Sequence, residues 1–149
     1  MTRSKYGKYV IREPKFVKEM AFHDFERQLS GFTFPAEIYV DKEILKEANQ
    51  YVDIAWIWEV PNPAAMVGAH FHPFDEIVLF IGSNPKDMRD FGGELEWWMG
   101  EGDSAEKFTI DTTALVYVPK GLVHGPLTCK RVDKPSLLIA IGLNTGEYF

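Results

Sequence analysis

The sequence has a single cysteine, Cys129, so no internal disulfide can staple the fold. A reducing, cytoplasmic setting is the expectation that goes with it. No apolar run approaches the roughly 20 residues that a membrane-spanning helix needs, and no membrane partner is expected. The opening stretch MTRSKYGKYVIREPKF lacks the apolar centre of a secretory leader. Basic residues are scarce: 16 Lys and Arg stand against 22 Asp and Glu, a net charge of −6. A general nucleic-acid binder needs a basic face, so nucleic acid is not an expected partner. Histidine is scarcer still, at four, and three of the four fall in two short segments.

Neither internal repeats nor low-complexity tracts are present, and 149 residues suit one domain with a core of its own. The charge is unevenly spread. Residues 1–30 carry seven basic and four acidic side chains, the remainder nine and eighteen. A basic arm ahead of an acidic body is drawn to that body or to a partner's. Residues 1–37 are read as an irregular arm, with one short helix in FVKEMAFHDFERQL, and residues 38–149 as the main domain. Segment 41–50, DKEILKEANQ, predicts a second short helix behind an Asp41 N-cap.

From residue 51 the pattern changes to strand. Ile54, Trp56, Trp58 and Val60 alternate with Asp53, Ala55, Ile57 and Glu59 until Pro61 and Pro63 break the run. Further strands are predicted at 67–72, 76–81, 94–99, 107–111, 114–118 and 136–143. Turn clusters such as GSNPKD, DFGG and GEGD lie between several of them. Many short strands at close spacing predict an all-β sandwich or closed barrel.

The histidines carry the chemistry. In GAHFHPFDEIVLFIG, residues 68–82, His70 and His72 are two apart and share one face of a strand. Glu76 follows past Pro73, where a hairpin would return it to the same face. In VPKGLVHGP, residues 118–126, His124 follows a Pro-Lys-Gly turn. Imidazole nitrogen and carboxylate oxygen suit Fe, Mn, Ni, Zn or Co. Three neutral imidazoles and one carboxylate leave a divalent ion with about +1 net charge. Two positions of a six-coordinate ion would stay open. With one thiol in the chain, a Cys-rich structural zinc site is excluded.

At these residues the chain resembles the cupin superfamily, whose first motif is written G-x5-H-x-H-x3,4-E-x6-G and whose second is G-x5-P-x-G-x2-H-x3-N. HFHPFDE fits the centre of the first motif, and Pro119, Gly121 and His124 fit the second. Ala64, Thr113 and Thr128 replace motif residues, and Gly82 comes one residue early. The resemblance covers about residues 50–143. It implies a small antiparallel β-barrel (the double-stranded β-helix, or jelly roll) with one divalent metal ion on His70, His72, Glu76 and His124. It names no reaction.

Placing Glu76 inside puts Val78 and Phe80 beside it and turns Ile77, Leu79 and Ile81 outward. Trp58, Val78, Phe80, Trp98 and Tyr117 are the expected pocket lining. Trp97 and Trp98 must face opposite ways, so only one of them can line it. Tyr117, Glu59 and Glu96 are further acid/base candidates, and Lys120 a candidate for an anionic substrate. Two functions follow. One is a metal-dependent enzyme, of oxygenase, isomerase or lyase type, acting on a small substrate that chelates through oxygen. The other is a non-catalytic module that holds a small ligand as sensor or store, or an accessory protein with a vestigial metal. The outward row Ile77, Leu79, Ile81 and the basic arm predict a homodimer.

Overall fold

A computed structural model describes residues 4–17, 30–31 and 36–146. Its strands are β1 (Lys15–Val17), β2 (Ala36–Val40), β3 (Gln50–Ile57), β4 (Ala65–Val67), β5 (Asp75–Gly82), β6 (Asp90–Met99), β7 (Glu106–Thr112), β8 (Ala114–Val118), β9 (His124–Val132) and β10 (Ser136–Leu143). They form a six-stranded sheet, β1-β2-β3-β10-β5-β8, and a four-stranded sheet, β4-β9-β6-β7. All pairings are antiparallel.

The result is a jelly-roll sandwich. The expected closed barrel is corrected in one respect: the hydrogen-bonded ladder stops at β8 in one sheet and at β7 in the other. Only Thr113 separates these two strands in sequence. The chain turns a corner there, with the Gly82 N–H donating to Thr113 Oγ1 at 3.1 Å. Alternation along the strands turns Ala55, Ile57, Val78, Phe80, Leu138 and Ala140 of the first sheet toward Phe91, Leu95, Trp97, Ile110, Leu127 and Cys129 of the second. Burying an aromatic such as Phe80, which is fully covered, contributes about 1.5–3 kcal/mol.

Three local expectations change. No helix forms over 41–50. The Asp41 carboxylate accepts the N–H groups of Glu43 and Ile44 at 2.9 Å each, as an N-cap does, but the chain makes two separate turns, closed by Leu45 N–H to the Asp41 carbonyl and Ala48 N–H to the Leu45 carbonyl, and runs on to β3. The strand expected over 67–72 ends at Val67. β9 was not expected at all, because its opening His-Gly-Pro reads as a turn. A register shift between Trp97 and Met99 of the paired β6 accommodates Pro126 as a bulge. The helix expected within 16–29 lies outside the described residues, apart from Phe16 and Val17, which are strand. Among the described residues, the helices are two single 3-10 turns, Gly7–Tyr9 and Gly102–Ser104. No helix there is long and apolar enough to cross a membrane.

Candidate metal centre

The two histidine segments meet where β9 begins. His70 and His124 exchange backbone hydrogen bonds, each N–H donating to the other's carbonyl at 2.9 Å. Gly125 makes this approach possible. Its φ is +91°, and a Cβ there would lie 2.4 Å from the Gly68 carbonyl oxygen. The loop before His124 is tied back as well. The Gly121 N–H donates to the His72 carbonyl at 2.9 Å, and the Lys120 N–H to Asp75 Oδ1 at 2.8 Å. His70 and His72 therefore converge from an irregular segment held by β9, not from one face of a continuous strand.

Each imidazole is oriented by a backbone carbonyl. Nδ1 of His70 meets Gly68 O at 2.9 Å, Nδ1 of His72 meets Phe74 O at 3.1 Å, and Nδ1 of His124 meets Leu122 O at 2.9 Å. A carbonyl only accepts, so Nδ1 carries the hydrogen in all three rings, and neutral rings keep a lone pair on Nε2. One nitrogen from each ring lies within 4.8 Å of the others, so the three could hold a metal ion. His124 Nε2 is buried without a hydrogen-bond partner. Glu76 Oε2 lies 3.3 Å from His72 Nε2 and 3.6 Å from His124 Nε2. Two donors at right angles, each about 2.1 Å from one ion, would be about 3.0 Å apart. A carboxylate oxygen facing an imidazole lone pair needs a positive charge between them, either a proton or a metal ion. The donor set therefore fits a divalent cation.

The electrostatics agree. Burial pushes the His124 imidazole down to about 4, and burial lowers His70 too, so both are neutral at pH 7. Burial alone would raise the Glu76 carboxyl. The hydrogen-bonding neighbours His72 and Tyr51 outweigh it and hold the group below its ordinary value. Neutral imidazoles and an ionised carboxylate are the forms that ligate metal.

The surroundings are partly those expected. Val78 and Phe80 are buried on the face of β5 that carries Glu76. Trp58, Trp98 and Tyr117 are 50%, 36% and 49% exposed. Trp98 alternates with Trp97, and Tyr117 pairs with the outward Ile77, so both sit on strand faces away from Glu76. The inward tryptophan is Trp97, with its ring centroid 5.9 Å from that of His124. Glu59 and Lys120 are exposed, and Glu96 pairs with Lys107 at 3.1 Å and Lys130 at 3.8 Å.

Three residues beside the histidines escaped the sequence reading. Phe74 stacks on His72, ring centroids 4.5 Å apart and planes 7° from parallel. Tyr51 donates its hydroxyl to Glu76 Oε1 at 2.5 Å, and burial raises its own pKa well above the usual phenol value. Asp53 is buried on the same face of β3. Burial first, and then the charge of Glu76, push its carboxyl up to about 7 against a backbone hydrogen bond from Ala140. The signal available for Tyr51 and Asp53 was their shared parity on the strand, which also contains the buried Ala55 and Ile57.

No family model matches the chain, and no curated protein does. Solved structures do. Fe(II)-HppE with the alternative substrate (S)-1-HPP is similar at a TM-score of 0.56 and 14% identity, over 90% of this chain and 60% of that one. Hydroxypropylphosphonic acid epoxidase from S. wedmorenis is similar at 0.53 and 14%, over 90% and 59%. Co(II) HppE in complex with substrate is similar at 0.50 and 14%, over 90% and 57%. This chain thus spans about 60% of the length of the epoxidase chains it matches. At this identity the likeness establishes the fold. The motif departures are local to that fold: Gly82 is bonded to Thr113, and Ala64, through its carbonyl, to the Cys129 N–H beside Thr128.

Proposed function

We propose that the chain is a cupin-type metal protein in which His70, His72, His124 and Glu76 hold one divalent ion, and that it is an enzyme acting on a small substrate that chelates through oxygen. The observation that carries this reading is the set of three Nδ1–carbonyl bonds, which leave the three rings clustered with Nε2 free to ligate, two of those atoms facing one Glu76 oxygen. Such an ion, when bound, supplies Lewis-acid polarisation of a chelated oxygen, and redox chemistry if it is iron. The neighbouring structures contain Fe(II) or Co(II) with small substrates, which makes iron the first metal to test.

The chain's own groups have separate tasks. His72, His124 and Glu76 are buried, while His70 is half-buried and leaves the approach on its side. Val78, Phe80 and Trp97 exclude water behind the donors. All three imidazoles are taken up as ligands, so proton transfer falls to Tyr51 or Asp53, the titratable groups on the inner face of β3.

The apolar inner wall supports a second reading, a binding module that holds its ligand by burial. Thermal shift separates the two, using small keto acids, dicarbonyls and phosphonates on iron-loaded and metal-free protein. A chelated substrate stabilises only the loaded form, and oxygen uptake then marks an oxygenase. A ligand that stabilises both forms equally overturns the chelation reading.

The same proposal extends to assembly. Ile77, Leu79 and Ile81 lie on the outer face of the six-stranded sheet, next to Ile139 and Ile141 of β10 and the exposed Leu115 and Tyr117 of β8. A second copy is the proposed cover for that face; Lys15–Val17 and Ala36–Glu37 pair within the chain's own sheet and are not part of a crossing arm.

A further inference from the structure

We propose that Tyr51, reaching across the side-chain-free position at Gly142, is the positioning residue that leaves Glu76 one oxygen for the metal centre. The inference rests on the metal reading above. β3 and β5 are not neighbours: both flank β10. Gly142 pairs with Tyr51 on one side and with Glu76 on the other. With strands about 4.8 Å apart, the backbones of Tyr51 and Glu76 are roughly 10 Å apart, beyond the reach of ordinary cross-strand pairs. The phenol bridges this gap because its ring passes over Gly142. A Cβ at that position would lie 2.2 Å from Tyr51 Cε1 and 2.5 Å from Cδ1, so any side chain there would displace the ring. The edge-on ring of Phe74, with centroids 5.7 Å apart and planes at 80°, supports Tyr51 from another direction.

The consequence is a division of labour between the two carboxylate oxygens. Oε1 accepts the Tyr51 hydroxyl at 2.5 Å, whereas Oε2 is the oxygen turned to His72 and His124. A phenol that holds Oε1 keeps the carboxylate from offering both oxygens to one ion. That preserves an open position, which a substrate binding through two oxygens requires.

The test uses Co(II), added to metal-free protein, and oxalate as a two-oxygen probe. Wild type is compared with Tyr51→Phe, which removes only the hydroxyl, and with Gly142→Ala, which keeps the hydroxyl but obstructs its path. Both variants are expected to take up Co(II), with weaker d–d absorption as the second carboxylate oxygen enters. Both should bind oxalate about tenfold or more weakly than wild type. Because both act through one contact, the double variant should be no worse than the more affected single variant. Tyr51→Phe with the spectrum and oxalate affinity of wild type overturns the positioning role while leaving the metal reading intact. Wild type that takes up no Co(II) overturns the metal reading and this inference with it. Gly142→Ala that retains both wild-type signals overturns the role given to the glycine.

Discussion

The two faces of the six-stranded sheet differ in a way that departs from the usual arrangement: polar groups are buried among the apolar residues of the inner face, and the outer face is largely aliphatic. The inner face places Tyr51, Asp53, Glu76 and Ser136 among its buried residues. The outer face runs Ile54, Ile139, Leu79 and Leu115 in one row across four strands, with Ile141, Ile77 and Tyr117 in the row beside it. An antiparallel sheet with one face in water ordinarily puts apolar residues inside and polar residues outside. Two of the polar contacts here stay on the inner face: the Tyr51 hydroxyl donates to Glu76, and Asp53 takes a backbone hydrogen bond from Ala140. Polar groups inside a sandwich are stable only when they are so satisfied. The difference between the faces is that the inner one carries a buried carboxylate cluster beside the histidines, whereas the outer one is a row of aliphatic side chains, for which a second copy is the proposed cover.

The largest effect is expected from breaking the inner face at its ligands. His72→Ala removes one donor and should weaken divalent-metal affinity by more than about a hundredfold, the upper range for the loss of a supporting contact alone. Competition with a chromogenic chelator measures this, and affinity close to wild type would exclude His72 from the ligand set.

The next pair of substitutions tests the two faces at adjacent residues. Phe80→Ala empties a fully buried position and should cost about 3–5 kcal/mol in urea unfolding. Leu79→Asp should leave metal content unchanged and shift sedimentation toward the monomer. A monomeric wild type would remove the second copy from the outer face.

Much of this was readable beforehand, and the exceptions have physical causes. β8 and β10 lie where their apolar runs and flanking turns put them. β9 was hidden because its register tolerates a bulge at Pro126, which no local pattern announces. The 41–50 segment has helix formers, yet the first of its two turns is held by a long-range contact: Lys15 Nζ reaches the buried Asp41 at 3.0 Å. The histidines and Glu76 could be found because motif spacing is local. Tyr51 could not, because it is 25 residues from Glu76 and two strands away, joined to it only through the register of β10. The tryptophans misled for a related reason. On β3 the more apolar set, Ile54 and Trp56, is the outer one, so hydrophobicity pointed to the wrong face.

A smaller effect sharpens the electrostatic side of the comparison. The folded metal-free protein holds the Asp53 proton to about pH 7, whereas an unfolded aspartate releases it near 4. The folded state therefore binds more protons than the unfolded state between those values, and stability from this group falls as pH rises through that window. His124 acts oppositely. Its folded value of about 4 lies below the ordinary 6.5, so its contribution is complete above about 6.5 and is lost as pH falls toward 4. Asp53→Asn should thus be increasingly favoured over wild type as pH rises from 5 to 8, read as the difference in urea midpoints of the two metal-free proteins. A difference that does not change with pH would show that Asp53 carries no raised pKa.

The central claim is that the inner face is built around one divalent ion, and the metal-to-chain ratio tests it most directly. Wild-type protein is loaded with Fe(II) without oxygen, desalted and subjected to elemental analysis, with His124→Ala treated in parallel. The account predicts one ion per chain in the wild type and almost none in the variant. A wild type that retains no metal, or a variant that retains as much as the wild type, would contradict it.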